Sequence, residues 1–146
     1  MSTLATEPSQ LKHNRIVVDT DVFSYIFRKD TRALFFEPFL LHKTLALSFI
    51  TVSELYYGAY KNSWGLSRIT QLETAIKNYV VLPYDYLVCQ KWAQLKVECE
   101  RAEFVVSYPD SWIGACALQF DCALATNNGK HFQHIDELEL ICPGLL

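Results

Sequence analysis

No stretch of the 146 residues approaches the roughly 18 consecutive apolar residues that a membrane-spanning helix needs. The first 14 residues are polar, contain Pro8 and lack the apolar segment of a secretory signal. No membrane attachment is expected, and a cytoplasmic location is. The chain also lacks paired cysteines. Cys89, Cys99, Cys116, Cys122 and Cys142 are odd in number and none forms a CxxC, which argues against a zinc or dithiol site and against a disulfide framework. They read as reduced, mostly buried thiols. An excess of positive charge is missing as well. The net charge of −3 excludes a protein that holds nucleic acid by bulk charge alone. It does not exclude a nuclease, because carboxylates gathered around a metal ion depress net charge. There is no internal repeat and no low-complexity tract.

Apolar residues make up 51% of the chain and charged ones 20%, so a folded core is expected and general disorder is not. The length suits one domain. Ile16-Val17-Val18 reads as a buried strand, and Val22 to Phe27 can start a helix. Ala33 to Leu41 reads as a short helix that Pro38 bends. Thr44 to Ser48 is a second strand, and Thr51 to Glu54 opens a helix running through Tyr60. Gly65 to Lys77 carries Leu66, Ile69, Leu72 and Ile76 at helical intervals. Tyr79 to Leu82 is a strand ended by Pro83. A long helix from Asp85, its N-cap, to Arg101 puts Val88, Trp92, Leu95 and Cys99 on one stripe. Ser107 to Asp110 opens a buried helix reaching Phe120. Cys122 to Ala125 is the next strand, and Leu138 to Ile141 a last edge strand. Strands alternating with helices predict an α/β fold, with a central parallel sheet flanked by helices on both faces. Residues 1–14 are expected as a flexible leader to a domain over 15–146.

Three acids share one context. Asp19 ends the first strand, Glu54 lies in the first turn of the helix after the second, and Asp110 lies in the first turn of the buried helix. The right-handed crossover rule brings strand carboxyl ends to one edge, where ligands collect. The Phe104 to Ser107 segment can return the chain there. Converging carboxylates repel unless a cation neutralises them. Oxygen ligands select a hard ion such as Mg²⁺ or Mn²⁺, which can activate water and stabilise phosphoryl charge. Each acid equally suits a cap: Thr51-x-x-Glu54 has capping-box spacing, Ser107-x-x-Asp110 nearly so, and Asp19 can cap its helix.

The segments Val17–Val22, Ser53–Ala59 and Asp110–Leu118 resemble the three acidic motifs of PIN domains, with the nearest likeness to VapC toxins of toxin–antitoxin pairs. Ala125–Phe132 resembles the fourth motif and Pro143–Leu145 part of the tail, so the likeness covers residues 15–146. The resemblance implies a PIN fold, an endoribonuclease dependent on Mg²⁺ or Mn²⁺, a homodimer, and inhibition by a cognate VapB-type antitoxin. It implies that Asp19, Glu54 and Asp110 are the catalytic, metal-holding acids, and that Thr20 and Thr126 line the site. The fourth motif departs from the pattern, which usually carries another acid where this chain has Asn128 or His131. An Asn128 carbonyl can ligate Mg²⁺, and His131 can contact a phosphate. Asp136 is a further substitute, or a solvated loop residue.

The expected chemistry is in-line attack of metal-activated water on an RNA phosphodiester, leaving a 5′ phosphate and a 3′ hydroxyl. The alternative is a catalytically weak PIN-fold module that binds RNA or protein, for which the Asn128/His131 departure speaks. A small phosphohydrolase using the same acids is a third option. Asp21 reads as support for a helix dipole. His131 and His134 also suit surface roles. Arg28, Lys29, Arg32, Lys43 and Lys130 are candidate phosphate contacts or a solvated face. Phe23, Phe27, Phe35, Phe36 and Phe39 read as core, or in part as a groove for an antitoxin. Tyr56 and Tyr57 are candidates for a dimer interface.

Overall fold

The computed structural model describes residues 1–145. Six strands form one all-parallel sheet in the order β1-β6-β5-β2-β3-β4. They are β1 (Thr3–Leu4), β2 (Arg15–Val18), β3 (Thr44–Ser48), β4 (Val80–Leu82), β5 (Ala123–Ala125) and β6 (Glu139–Ile141). The main helices are α1 (Thr20–Phe27), α2 (Glu37–Leu40), α3 (Phe49–Lys61), α4 (Leu66–Ile76), α5 (Tyr86–Arg101) and α6 (Tyr108–Gln119). No helix among the described residues is long and apolar enough to cross a membrane.

Side-chain alternation along the strands splits the core in two. Ile16, Val18, Ala123 and Ala125 join Phe23, Phe36, Leu47 and Leu72 on the face covered by α1, α2 and α4. Val17 and Leu124 point the other way, into Val88, Leu95, Ile113 and Cys116 of α5 and α6. This is the expected arrangement of helices on both faces. Five free thiols also agree with expectation, with only Cys89 exposed.

Residues 102–107 return along α5. Phe104 N donates to Cys99 O, and the Lys96 ammonium donates to Val106 O. Trp92, early in α5, therefore meets the start of α6. It stacks on Trp112 at 5.0 Å, and its indole N–H donates to Ser111 Oγ at 2.8 Å. The start of α6 is thus held at the carboxyl edge of the strands, as the Phe104 to Ser107 connection requires. Further along, a Cβ on Gly114 would approach Ile135 Cδ1 to 3.0 Å, so a larger residue there would make Ile135 give way by a few tenths of an ångström.

Four local expectations need correction. Ser48, rather than Thr51, caps α3: its Oγ accepts from Thr51 N at 3.1 Å, which places Glu54 in the second turn and removes the capping box. Ala33 to Leu41 divides into a 3₁₀ turn over Thr31–Phe35 and the short α2, with Pro38 in the first turn of α2. The last strand, β6, is not at the edge, because β1 pairs outside it. Residues 1–14, expected as a leader, are instead laid against the domain. Besides the β1 pairing, the buried Glu139 carboxylate accepts from Lys12 N, His13 N and His13 Nδ1, the last at 2.8 Å. A two-residue strand has no periodicity to reveal it.

Removing the Glu139 acceptor leaves those donors without partners. Glu139→Ala should lower the unfolding free energy by about 1–3 kcal/mol in urea titration and hasten proteolysis within residues 1–14. An unchanged midpoint would show that the clamp contributes nothing.

Candidate active site

From β2 the chain steps outward to β3 and β4, then returns to β5 and β6 on the other side. The β2/β5 boundary is where the strand order reverses, and Asp19 and Thr126 follow those two strands. Asp19 caps α1: one carboxylate oxygen accepts from Thr20 N at 2.8 Å, and the other accepts from Thr126 Oγ1 at 2.7 Å. Thr126 is buried and accepts from Asn128 N at 3.0 Å, which ties the segment after β5 to the same centre. Asp19 is only 5% exposed. Burial, followed by the charge of Asp21, pushes its pKa from the ordinary 3.8 to about 7.

Glu54 arrives from α3 and remains partly exposed. Thr20 Oγ1 donates to its Oε1 at 2.9 Å and lies 3.0 Å from Thr51 Oγ1. Partial burial raises the Glu54 pKa, and Asp110 and Asp21 add repulsion, against the Thr20 hydrogen bond. Asp110 comes from the first turn of α6, where Ser107 Oγ accepts from its N–H. Its Oδ2 is 3.0 Å from His131 Nδ1.

Asp19, Asp21, Glu54, Asp110 and Asn128 line one open cavity of about 460 Å³, with Thr20, Arg28 and Arg32. The expected acids and both threonines are therefore brought together. His131 lies just outside, against Asp110. Asp136 is remote from the cavity and paired with the Met1 amine. Of the basic candidates, Arg28 and Arg32 reach the cavity, while Lys29, Lys43 and Lys130 do not line it. Arg32 is fixed by Asp30 at 2.7 Å and lies 4.1 Å above the Tyr25 ring.

Asp21 lies in the first turn of α1, as expected, and has partners that the sequence did not show. Its Oδ2 accepts from Asn127 N at 3.0 Å and from Asn128 Nδ2 at 3.2 Å. Burial raises its pKa, and Asp110 adds repulsion. An i+2 spacing from Asp19 at a helix start reads as a dipole effect. The Asn127-Asn128 partnership lies over a hundred positions away.

The donors are oxygens and their carboxylates are mutually repelled, which fits a hard divalent cation. Among the described residues no group of three His, Cys, Asp or Glu side chains forms a ready-made metal cage. An ion held by these residues would take part of its coordination from water, as Mg²⁺ tolerates.

A sequence model described as "PIN domain" matches residues 16–138. The chain belongs to the PIN domain family. Within it, the similarity is to VapC toxins. This PIN domain is 25% identical over 126 residues to "Ribonuclease VapC2" of Rickettsia felis, a match covering 85% of this chain and 94% of that one. It is 26% identical over 125 residues to the "tRNA(fMet)-specific endonuclease VapC" of Shigella flexneri, with 85% and 94% covered. Among solved structures, VapBC-1 from nontypeable Haemophilus influenzae matches with a TM-score of 0.75 at 25% identity, covering 88% of this chain and 97% of that one. VapBC2 from Rickettsia felis, bound to a promoter DNA fragment, matches in fold with a TM-score of 0.75 at 23% identity, covering 86% and 96%.

A carboxyl raised above its ordinary value binds its proton more tightly folded than unfolded. The metal-free PIN domain should therefore lose stability as pH rises from about 4 to 7. Asp19→Asn should remove most of that decline and raise the melting temperature at pH 8 in chelator by at least about 3 °C. A wild-type melting temperature equal at pH 5 and pH 8 would contradict the assignment.

Proposed function

We propose that this PIN domain is a divalent-metal-dependent endoribonuclease and the toxin of a VapBC-type pair. The carrying observation is the convergence of Asp19, Glu54 and Asp110, from three separate elements, on one open cavity that also presents Arg28 and Arg32. Asp19, Glu54 and Asp110 would hold Mg²⁺ or Mn²⁺, with Asn128 keeping Asp21 in place beside them. When bound, the ion supplies positive charge to the phosphoryl group and makes the attacking water more acidic. The two arginines draw a phosphate into an otherwise acidic cavity. Glu54 keeps Oε2 free while Thr20 occupies Oε1. That oxygen would orient the water and take its proton, while the departing 3′ oxygen takes a proton from solvent to become the 3′ hydroxyl.

The relatives' names support an RNA substrate, and the solved VapBC complexes support an antitoxin partner. Self-association into a homodimer is part of the same reading, and Tyr57, 66% exposed, is available for it. Phe23, Phe36 and Phe39 are committed to the core. Only Phe27 and Phe35 of that set are left with accessible surface.

Mn²⁺ titration by calorimetry, followed by incubation with structured RNA, tests the proposal. The wild type should bind and cut. Asp19→Asn, Glu54→Gln and Asp110→Asn should each lower the cleavage rate about 10²-fold or more. Asp21→Asn should weaken metal binding by about 10–100-fold through loss of its support for the ligands. A folded wild type that binds no Mn²⁺ and leaves RNA intact would overturn the nuclease reading in favour of a PIN-fold binding module.

A further inference from the structure

A second cavity, of about 490 Å³, lies beside the acidic one and shares Thr20, Ser24, Arg28 and Glu54 with it. Its far wall is a ladder of planar groups from three elements. Phe27, the last residue of α1, stacks on Trp64 at 6.0 Å with an interplanar angle of 20°. The guanidinium of Arg68, on α4, lies 3.9 Å from the ring centre of Trp64, which precedes that helix. Asn62 adds a polar edge: its Nδ2 donates to Gly58 O, and its Oδ1 is left to accept.

Two features point to an anionic ligand with a flat component. Arg15 and Arg32 are ion-paired to aspartates, whereas Arg28 and Arg68 have no carboxylate partner among the described residues. Arg68 also occupies the first turn of α4, whose N-cap Gly65 offers no side-chain acceptor. A cation there is opposed by the helix's own positive end, and a phosphate nearby relieves that. The cavity lies within the size range of small-ligand sites, and guanidinium and indole planes are the surfaces on which unstacked bases settle.

We infer that this cavity is a subsite for one unpaired nucleotide of the RNA, adjacent to the phosphate that is cut. The base stacks on the outer face of Arg68, which Trp64 backs, with Asn62 at its edge. The nucleotide's phosphate meets Arg28 at the junction of the two cavities. The inference rests on the nuclease reading for its place next to the scissile bond. It favours single-stranded substrate, because a paired base must first be unpaired and unstacked to enter.

The test is binding of adenosine 5′-monophosphate and guanosine 5′-monophosphate to the full chain, followed by ¹H–¹⁵N NMR at the Trp64 indole N–H. Ribose 5-phosphate is the base-free control. Both nucleotides should shift that signal, ribose 5-phosphate should bind at least about 10-fold more weakly, and Arg68→Ala should lower nucleotide affinity about 10-fold without altering Mn²⁺ binding. Arg68→Ala should also raise KM for a single-stranded oligonucleotide about 10-fold. Equal binding of ribose 5-phosphate would reduce the site to a phosphate contact and overturn the inference. So would the absence of any nucleotide-induced shift at Trp64, which would leave the cavity to a protein partner. A wild type that binds nucleotides here yet cuts no RNA would sink the nuclease reading and leave the subsite standing.

Discussion

The carboxylate of Asp19 is almost sealed from water at the end of β2, held by one backbone N–H and one hydroxyl, with Asp21 two residues away. A buried carboxylate with no cation at hand is an unfavourable arrangement that local packing does not require, since a serine or asparagine could cap α1 as well. Much of the surrounding structure serves to keep it there. Thr126 is spent on Asp19 and on the backbone of Asn128. Thr20 turns its hydroxyl to Glu54, and Asn127 and Asn128 turn their amides to Asp21. These hydroxyls and amides stabilise negative charge without neutralising it, and in the proposed nuclease a divalent cation would do so.

The parts of this arrangement that could be read in the residues are those with a local signal. Ile16-Val17-Val18, Thr44 to Ser48 and Cys122 to Ala125 are short branched or small apolar runs, and each is a strand within one or two residues of the expected bounds. Asp85 and Ser107 sit where caps are expected and act as caps. The convergence of Asp19, Glu54 and Asp110 follows from parallel topology, because helices that follow or feed such strands begin at one edge.

What could not be read depends on pairings distant in the chain. Asp21 looks like one more acid in a first turn, and only the fold brings Asn127 and Asn128 to it. β1 is two residues long and exists through its pairing with β6 and the Glu139 carboxylate. The start of α3 lies earlier than expected because both Ser48 and Thr51 can cap, and it is Ser48 Oγ that accepts from Thr51 N. Trp64 and Arg68 carried no signal at all as a pair, since an i, i+4 aromatic–cation spacing is common on helical surfaces. Their significance arises only when Phe27 of α1 closes behind them.

A net charge of −3 is compatible with an RNA-directed site once its distribution is considered. Four acids face one cavity, while Arg28 and Arg32 stand on its rim, and of these two only Arg32 has a carboxylate partner among the described residues. Arg28 belongs to both cavities, so a phosphate seated on it would lie between the carboxylates and the Trp64–Arg68 ladder. Without a bound cation, that phosphate meets Asp19, Asp21, Glu54 and Asp110 as well as Arg28, and repulsion opposes its seating. A cation that neutralises the acids removes this repulsion, and by reciprocity the phosphate strengthens the hold on the cation. The protein therefore has no need of a strongly basic surface. In the proposed nuclease, affinity for RNA would be conditional on the bound ion, which would confine tight binding to the loaded state.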